Sequence, residues 1–210
     1  MLDYKLNRNQ LNFFHTFGFI LFKGLFLDNI EDIINSFDEV FKLKTKKQKF
    51  NLINVERLCI PQFIDSHNDL ANLIDDQRII SIGESILGNN FNYMGSDGNY
   101  YNSNTSWHSD GWVSNILHIK LAFYLDHLKH NKGCLKILPG SHNIHDKYSN
   151  DLDISIKKKN SYLEKKLYQA ITSLQRHYFL MTESPFHLLS SNDLPKNNQV
   201  LQRVHWHQNY

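Results

Sequence analysis

Apolar positions along the chain fall into two textures. Up to about residue 90 they recur mainly at three- and four-residue spacing, and from Phe91 onward they come in short aromatic and β-branched runs separated by Gly, Asn, Ser and Asp. Residues 6–14 predict a short helix, and the dense run Phe17-Gly18-Phe19-Ile20-Leu21-Phe22 a buried strand. Asp28 is the expected N-cap of a helix to about residue 42, with Ile30, Ile33, Ile34, Phe37, Val40 and Phe41 on one face. The basic stretch Lys42 to Lys49 reads as a solvated helix end or loop. Residues 69–88 predict a second long helix, which Gly88-Asn89-Asn90 would close as a C-cap.

Beyond Phe91 the pattern is strand-like through Tyr93, Tyr100, Tyr101, Trp107 and Trp112, and then through Ile116 to Leu125. Lys132-Gly133 predicts a turn, Cys134 to Leu138 a short strand, and Pro139-Gly140 the turn that ends it. Residues 146–176 are polar and read as helix or loop. Helices first and strands after imply an α+β domain whose second half is a barrel or sandwich. No internal repeat or linker divides it, so residues 1–210 are expected to form one domain.

Composition narrows the classes. A net charge of +2 is too mild to point to nucleic acid or an anionic membrane as partner. No leader pattern and no apolar run long enough for a membrane span occurs, so a soluble, cytoplasmic protein is expected. Cys59 and Cys134 both sit among apolar neighbours and read as buried free thiols. The expected partner is a small-molecule substrate; oligomeric state is open.

The candidate chemistry lies in Trp107-His108-Ser109-Asp110-Gly111-Trp112. On extended chain, residues at i and i+2 share a face, so His108 and Asp110 can offer an imidazole nitrogen and a carboxylate oxygen to one metal ion. A histidine from a distant strand would complete a 2-His-1-carboxylate triad, the ligand set of non-haem Fe(II) oxygenases. His-x-Asp alone is a common surface triplet, and it gains weight from its surroundings. Three segments follow one another: Trp107 to Trp112, Lys120-Leu121-Ala122-Phe123-Tyr124-Leu125-Asp126, and Gly133-Cys134-Leu135-Lys136-Ile137-Leu138-Pro139-Gly140-Ser141-His142. In motif order and spacing they resemble the phytanoyl-CoA dioxygenase family, and Phe14 to Ile20 followed by a helix is similar to that family's N-terminal part. The resemblance covers roughly residues 10–148.

That resemblance implies a double-stranded β-helix (jelly-roll, cupin-like) preceded by N-terminal helices. It also implies Fe(II), with 2-oxoglutarate and O2 as co-substrates. The implied reaction hydroxylates a small organic substrate and decarboxylates 2-oxoglutarate to succinate. His142 is not a ligand in the family's pattern and reads as structural or pocket-rim. His118, His127 and His130 read as surface or core histidines. Lys120 faces either the 2-oxoglutarate carboxylate or, as the blander reading has it, solvent.

The family's later elements are a Gly-Asp turn, the distal His and an anion-binding Arg, and after Gly140 this chain has no glycine. His177, His187, His205 and His207 are the tail histidines open as third ligand. In one register His187-Leu188-Leu189-Ser190-Ser191-Asn192 carries the ligand and Arg203 binds the co-substrate. In another, residues Gln199 to His207 form a last strand with Arg203, His205 and His207 on one face and Val200, Val204 and Trp206 on the other. The first is preferred. A chain diverging near residue 150 would lack the last strands, leaving a catalytically incomplete module that binds a small molecule or is vestigial. A metal enzyme of another class, such as an isomerase, is a further alternative.

Overall fold

The computed structural model describes residues 4–48, 57–101, 108–109, 117–126, 128–129, 135–137, 139–143, 173–174, 178–184, 187–190 and 198–208. The first helix, α1 (Arg8–Phe17), opens with a reciprocal cap: the Asn7 side chain accepts from the Gln10 N–H at 3.0 Å, and the Asn7 N–H donates to Gln10 Oε1 at 2.9 Å. Gly18, at φ 77°, ends α1 in a left-handed turn, so the strand expected from residue 17 starts only at β1 (Phe19–Lys23).

Helix α2 (Ile30–Gln48) buries Ile30, Ile33, Phe37, Val40 and Phe41, the predicted face. It overruns the expected end near residue 42, because Lys, Leu and Gln are good helix formers and no Gly or Pro interrupts them. Asp28 does not cap it. The Ile33 N–H donates to the Asn29 carbonyl, and the Asp28 carboxylate is 2.6 Å from Arg78 Nη1.

The helix expected over 69–88 is two helices, α3 (Asn68–Ala71) and α4 (Gln77–Leu87). Asp76 restarts the second, its side chain accepting from the Arg78 N–H at 2.9 Å, and Gly88 closes it as expected. Arg78 then joins three segments. Its Nε and Nη2 grip the Asp76 carboxylate, its Nη1 reaches Asp28 and the Leu25 carbonyl, and its guanidinium lies 4.0 Å from the Phe26 ring centroid.

Among the described residues eleven strands follow in chain order: β1, β2 (Arg57–Pro61), β3 (Phe91–Tyr101), β4 (His108–Ser109), β5 (His118–Tyr124), β6 (Leu128–Lys129), β7 (Leu135–Ile137), β8 (Ser173–Leu174), β9 (Tyr178–Ser184), β10 (His187–Ser190) and β11 (Asn198–Gln208). The six-stranded sheet runs β1-β9-β5-β11-β3-β2, the three-stranded sheet β4-β10-β7, and β6 pairs with β8. From β3 to β5 and from β9 to β11, successive strands alternate between the larger and the smaller sheet. That alternation is the winding of a double-stranded β-helix. The tail therefore belongs to the fold: β9 and β11 lie inside the larger sheet, and β10 lies between β4 and β7. The expectation of missing last strands is corrected.

Strand β2 escaped the sequence reading; it pairs with β3, Cys59 opposite Asn99. Cys59 is exposed on this edge strand rather than buried, since alternation turns Leu58 and Ile60 to the core instead. Cys134 and the Lys132-Gly133 turn lie outside the described residues.

Candidate functional site

Strand β5 sets up the site. All seven of its residues are buried, so both faces are covered. Ile119, Leu121 and Phe123 belong to the core cluster shared with α2 and α4, and the Phe123 ring stands 4.9 Å from that of Phe26. Alternation gives the other face to His118, Lys120, Ala122 and Tyr124. Ala122 and Tyr124 are buried yet stand outside the helix-side cluster, as does Ile137 of β7 in the smaller sheet. The polar row of β5 thus lines the inside of the β-helix. Lys120 is 3% exposed, which overturns the reading of a solvent-facing lysine. His118, at 5%, is a buried histidine.

The smaller sheet brings the candidate ligand strands together. β10 pairs antiparallel with β4, with His187 opposite Ser109 and Leu188 opposite His108. The two histidines are therefore neighbours across one ladder, offset by one position. In a regular ladder that offset assigns them to alternate rows. His187 also begins only three residues after Ser184, the partner of His118 on β9. Three residues of extended chain span at most about 10 Å, so the His118 end of the larger sheet and the His187 end of the smaller one lie at the same end of the β-helix. Asp110, Trp107, Trp112, His127, His130 and His177 lie outside the described residues.

His205 and His207 sit elsewhere, on β11 in the larger sheet, opposite Lys120 and His118 respectively. The expected last strand is present, but its faces are not as expected. The register shifts between Gln202 and Val204, leaving Arg203 at a bulge. Val200 and Gln202 consequently share the row of Tyr124 and Ala122, while Val204 and Trp206 oppose Leu121 and Ile119 on the helix side. Sequence alternation alone had put Val200 with Val204, because one extra residue inverts every position after it.

The Pro139–His142 turn has a structural role. The Gly140 N–H donates to the Phe17 carbonyl at 2.9 Å, and His142 Nε2 lies 3.1 Å from the His15 carbonyl oxygen. Burial holds the His142 imidazole below its usual pKa, outweighing the hydrogen bond to His15, which raises it. Among the described residues, no group of three or more His, Cys, Asp or Glu is arranged to hold a metal ion.

A double-stranded β-helix in which the His108–Ser109 strand pairs with the His187-bearing strand defines the class: a jelly-roll protein with candidate ligand residues at one end. The phytanoyl-CoA dioxygenase (PhyH) family model matches residues 14–173, and the chain belongs to that family. Solved structures share the fold at low identity. HygX from Streptomyces hygroscopicus, with nickel and 2-oxoglutarate bound, is 15% identical, with a TM-score of 0.72 over 98% of this chain and 88% of that one. SnoK, a non-heme alpha-ketoglutarate-dependent carbocyclase from nogalamycin biosynthesis, is 12% identical, with a TM-score of 0.76 over 99% of this chain and 86% of its own. EctD from S. alaskensis with bound Fe is 14% identical, with a TM-score of 0.68 over 97% and 77%. A comparison with curated proteins finds no match. No helix among the described residues is long and apolar enough to cross a membrane.

Proposed function

We propose that this chain is an Fe(II)/2-oxoglutarate-dependent dioxygenase that hydroxylates a small organic substrate, with His108, Asp110 and His187 as iron ligands and Arg203 and Lys120 as co-substrate residues. The observation that carries it is the match to the phytanoyl-CoA dioxygenase family, within which the β4–β10 pairing makes the His187 strand a neighbour of the His108 strand. The donor chemistry fits: two imidazoles and a carboxylate are the ligand set of non-haem Fe(II) with open positions. HygX was crystallised with nickel and 2-oxoglutarate and EctD with Fe, which supports the same cofactor and co-substrate here.

Bound iron would supply the site at which 2-oxoglutarate and O2 react. The chain's own residues bind, orient and exclude water. Lys120 offers a buried ammonium to a carboxylate in a setting of weakened solvent screening, and Arg203, on the adjacent β11, offers the fork that grips a carboxylate with two hydrogen bonds. The apolar positions Ala122 and Ile137, both buried, keep water from the space between the sheets. One domain spanning residues 1–210 suffices for this reading.

The test is anaerobic Fe(II) plus 2-oxoglutarate, followed by its charge-transfer absorption. Wild type is expected to show the band, and His108→Ala, Asp110→Ala and His187→Ala to lose it. Wild type that binds iron without the band sinks the co-substrate assignment. The one-position offset between His187 and His108 favours a second reading, a catalytically incomplete β-helix that binds a small molecule. Under it, His187→Ala leaves iron affinity untouched and no succinate forms.

A further inference from the structure

The inner row of the larger sheet is unusually basic at the end where the ligand strands lie. On β5 the row carries His118 and Lys120, both buried. On β11 the residues at the same ladder positions are His207, opposite His118, and His205, opposite Lys120. On β9 the corresponding positions are Ser184, opposite His118, and Thr182, opposite Lys120. Phe19 of β1 continues the row beyond Thr182. Across these strands the positions flanking the two basic pairs thus bring hydroxyls and an aromatic ring. Directly opposed residues in an antiparallel sheet hold their Cβ atoms about 4.5–5.5 Å apart, and the register sets His118 opposite His207 and Lys120 opposite His205 in this way.

We propose that the His118–His207 pair, with Ser184 beside it, is an oxyanion subsite for the primary substrate, which therefore carries a carboxylate or phosphate group. The inference rests on the dioxygenase reading insofar as Lys120 and Arg203 are assigned to 2-oxoglutarate. That assignment leaves the outermost pair, nearest the His187 end, for the second ligand. Imidazoles and a hydroxyl donate hydrogen bonds to oxygen, and protonated imidazoles add charge, so the subsite selects an oxyanion over a neutral or cationic group.

The probes are inorganic phosphate and propionate, titrated calorimetrically into the full chain saturated with 2-oxoglutarate at mildly acid pH. Wild type is expected to bind at least one of them, and which one binds distinguishes a phosphate from a carboxylate substrate. His118→Asn and His207→Asn are each expected to weaken that binding about tenfold or more, the effect of losing one charge-assisted hydrogen bond. Ser184→Asp keeps both imidazoles and sets a like charge against the probe, so it is expected to abolish binding even where a histidine variant folds poorly. In all three variants 2-oxoglutarate affinity is expected to stay within about twofold, well inside the tenfold step of one hydrogen bond. The proposal is overturned if wild type binds neither probe, if Ser184→Asp binds as wild type does, or if the variants lose 2-oxoglutarate affinity in parallel. Failure of wild type to bind 2-oxoglutarate sinks the dioxygenase reading instead, and leaves the probe titrations to decide the subsite alone.

Discussion

The His142 ring bolts the turn after β7 to the last turn of α1: its Nε2 is 3.1 Å from the His15 carbonyl oxygen, across 127 residues of sequence. A carbonyl can only accept, so Nε2 carries the proton and donates. The motif Pro139-Gly140-Ser141-His142 thus links the helical half to the β-helix, and the Gly140 φ of 78° lets the backbone make the turn.

Stability should therefore depend on pH through His142. Its folded pKa lies below the ordinary imidazole value because burial disfavours the charged form. The unfolded chain takes up the proton first as pH falls below about 6.5, so stability is full above that value and is lost as pH drops toward the folded pKa. Thermal unfolding from pH 8 to pH 5 is expected to show this fall in wild type and a shallower one in His142→Gln. Equal slopes would refute the assignment.

Arg78 is expected to be worth more than its partners taken singly. Arg78→Met strands the half-buried Asp76 carboxylate and should cost about 3 kcal/mol in urea denaturation. Burial alone pushes the Asp76 carboxyl up, but the Arg78 hydrogen bonds and charge hold it below the usual range. Asp76 thus stabilises the fold above the ordinary carboxylate pKa and ceases to as pH falls through its lowered value. Asp28 is 72% exposed, so Asp28→Asn should cost under about 1 kcal/mol, as solvent screens that end of the pair.

Gly98 leaves no room for a side chain. A Cβ there would lie 2.3–2.5 Å from Phe63 ring atoms, and Phe63 is fully buried. Gly98→Ala is expected to destabilise by about 1–3 kcal/mol through overpacking. Adding Phe63→Leu should recover part of the loss; no recovery would mean the backbone, not the ring, is the obstacle.

Lys120→Met replaces a buried ammonium with an apolar side chain of similar length, so folding should survive. The 2-oxoglutarate Kd is expected to rise about ten- to hundredfold, the range for losing a hydrogen bond to a charged group, while Fe(II) affinity stays unchanged. Unaltered 2-oxoglutarate binding would remove Lys120 from the co-substrate site.

The separation of tail histidines offers a further check. His187→Ala should lower Fe(II) affinity, whereas His205→Ala and His207→Ala, in the other sheet, should not. An equal loss in all three would place the metal on the larger sheet.

Much of the fold was legible because local physics wrote it into the chain. The amphipathic face of α2 is visible as Ile30, Ile33, Phe37, Val40 and Phe41, and Gly88 marks where α4 stops. The break between α3 and α4 was not legible, since both halves keep helical spacing and only the Asp76 cap, stabilised by Arg78, splits them. Strand β2 was missed because two core residues, Leu58 and Ile60, on an edge strand carry too short a pattern. Of the candidate site, His108 and Asp110 were readable as a local spacing, and His187 with Arg203 only as a weak pattern in the tail.

The sequence by itself determined the order of helices before strands, the His-x-Asp pair and the family motifs, since each depends on residues near one another in the chain. Tertiary structure alone decided that the tail completes both sheets, that β10 lies beside β4, and that Lys120 faces inward. It also decided that a bulge at Arg203 turns His205 and His207 toward the row of Lys120 and His118. These are matters of strand pairing and register, in which a shift of one residue exchanges the two faces of a strand while leaving its local pattern unchanged.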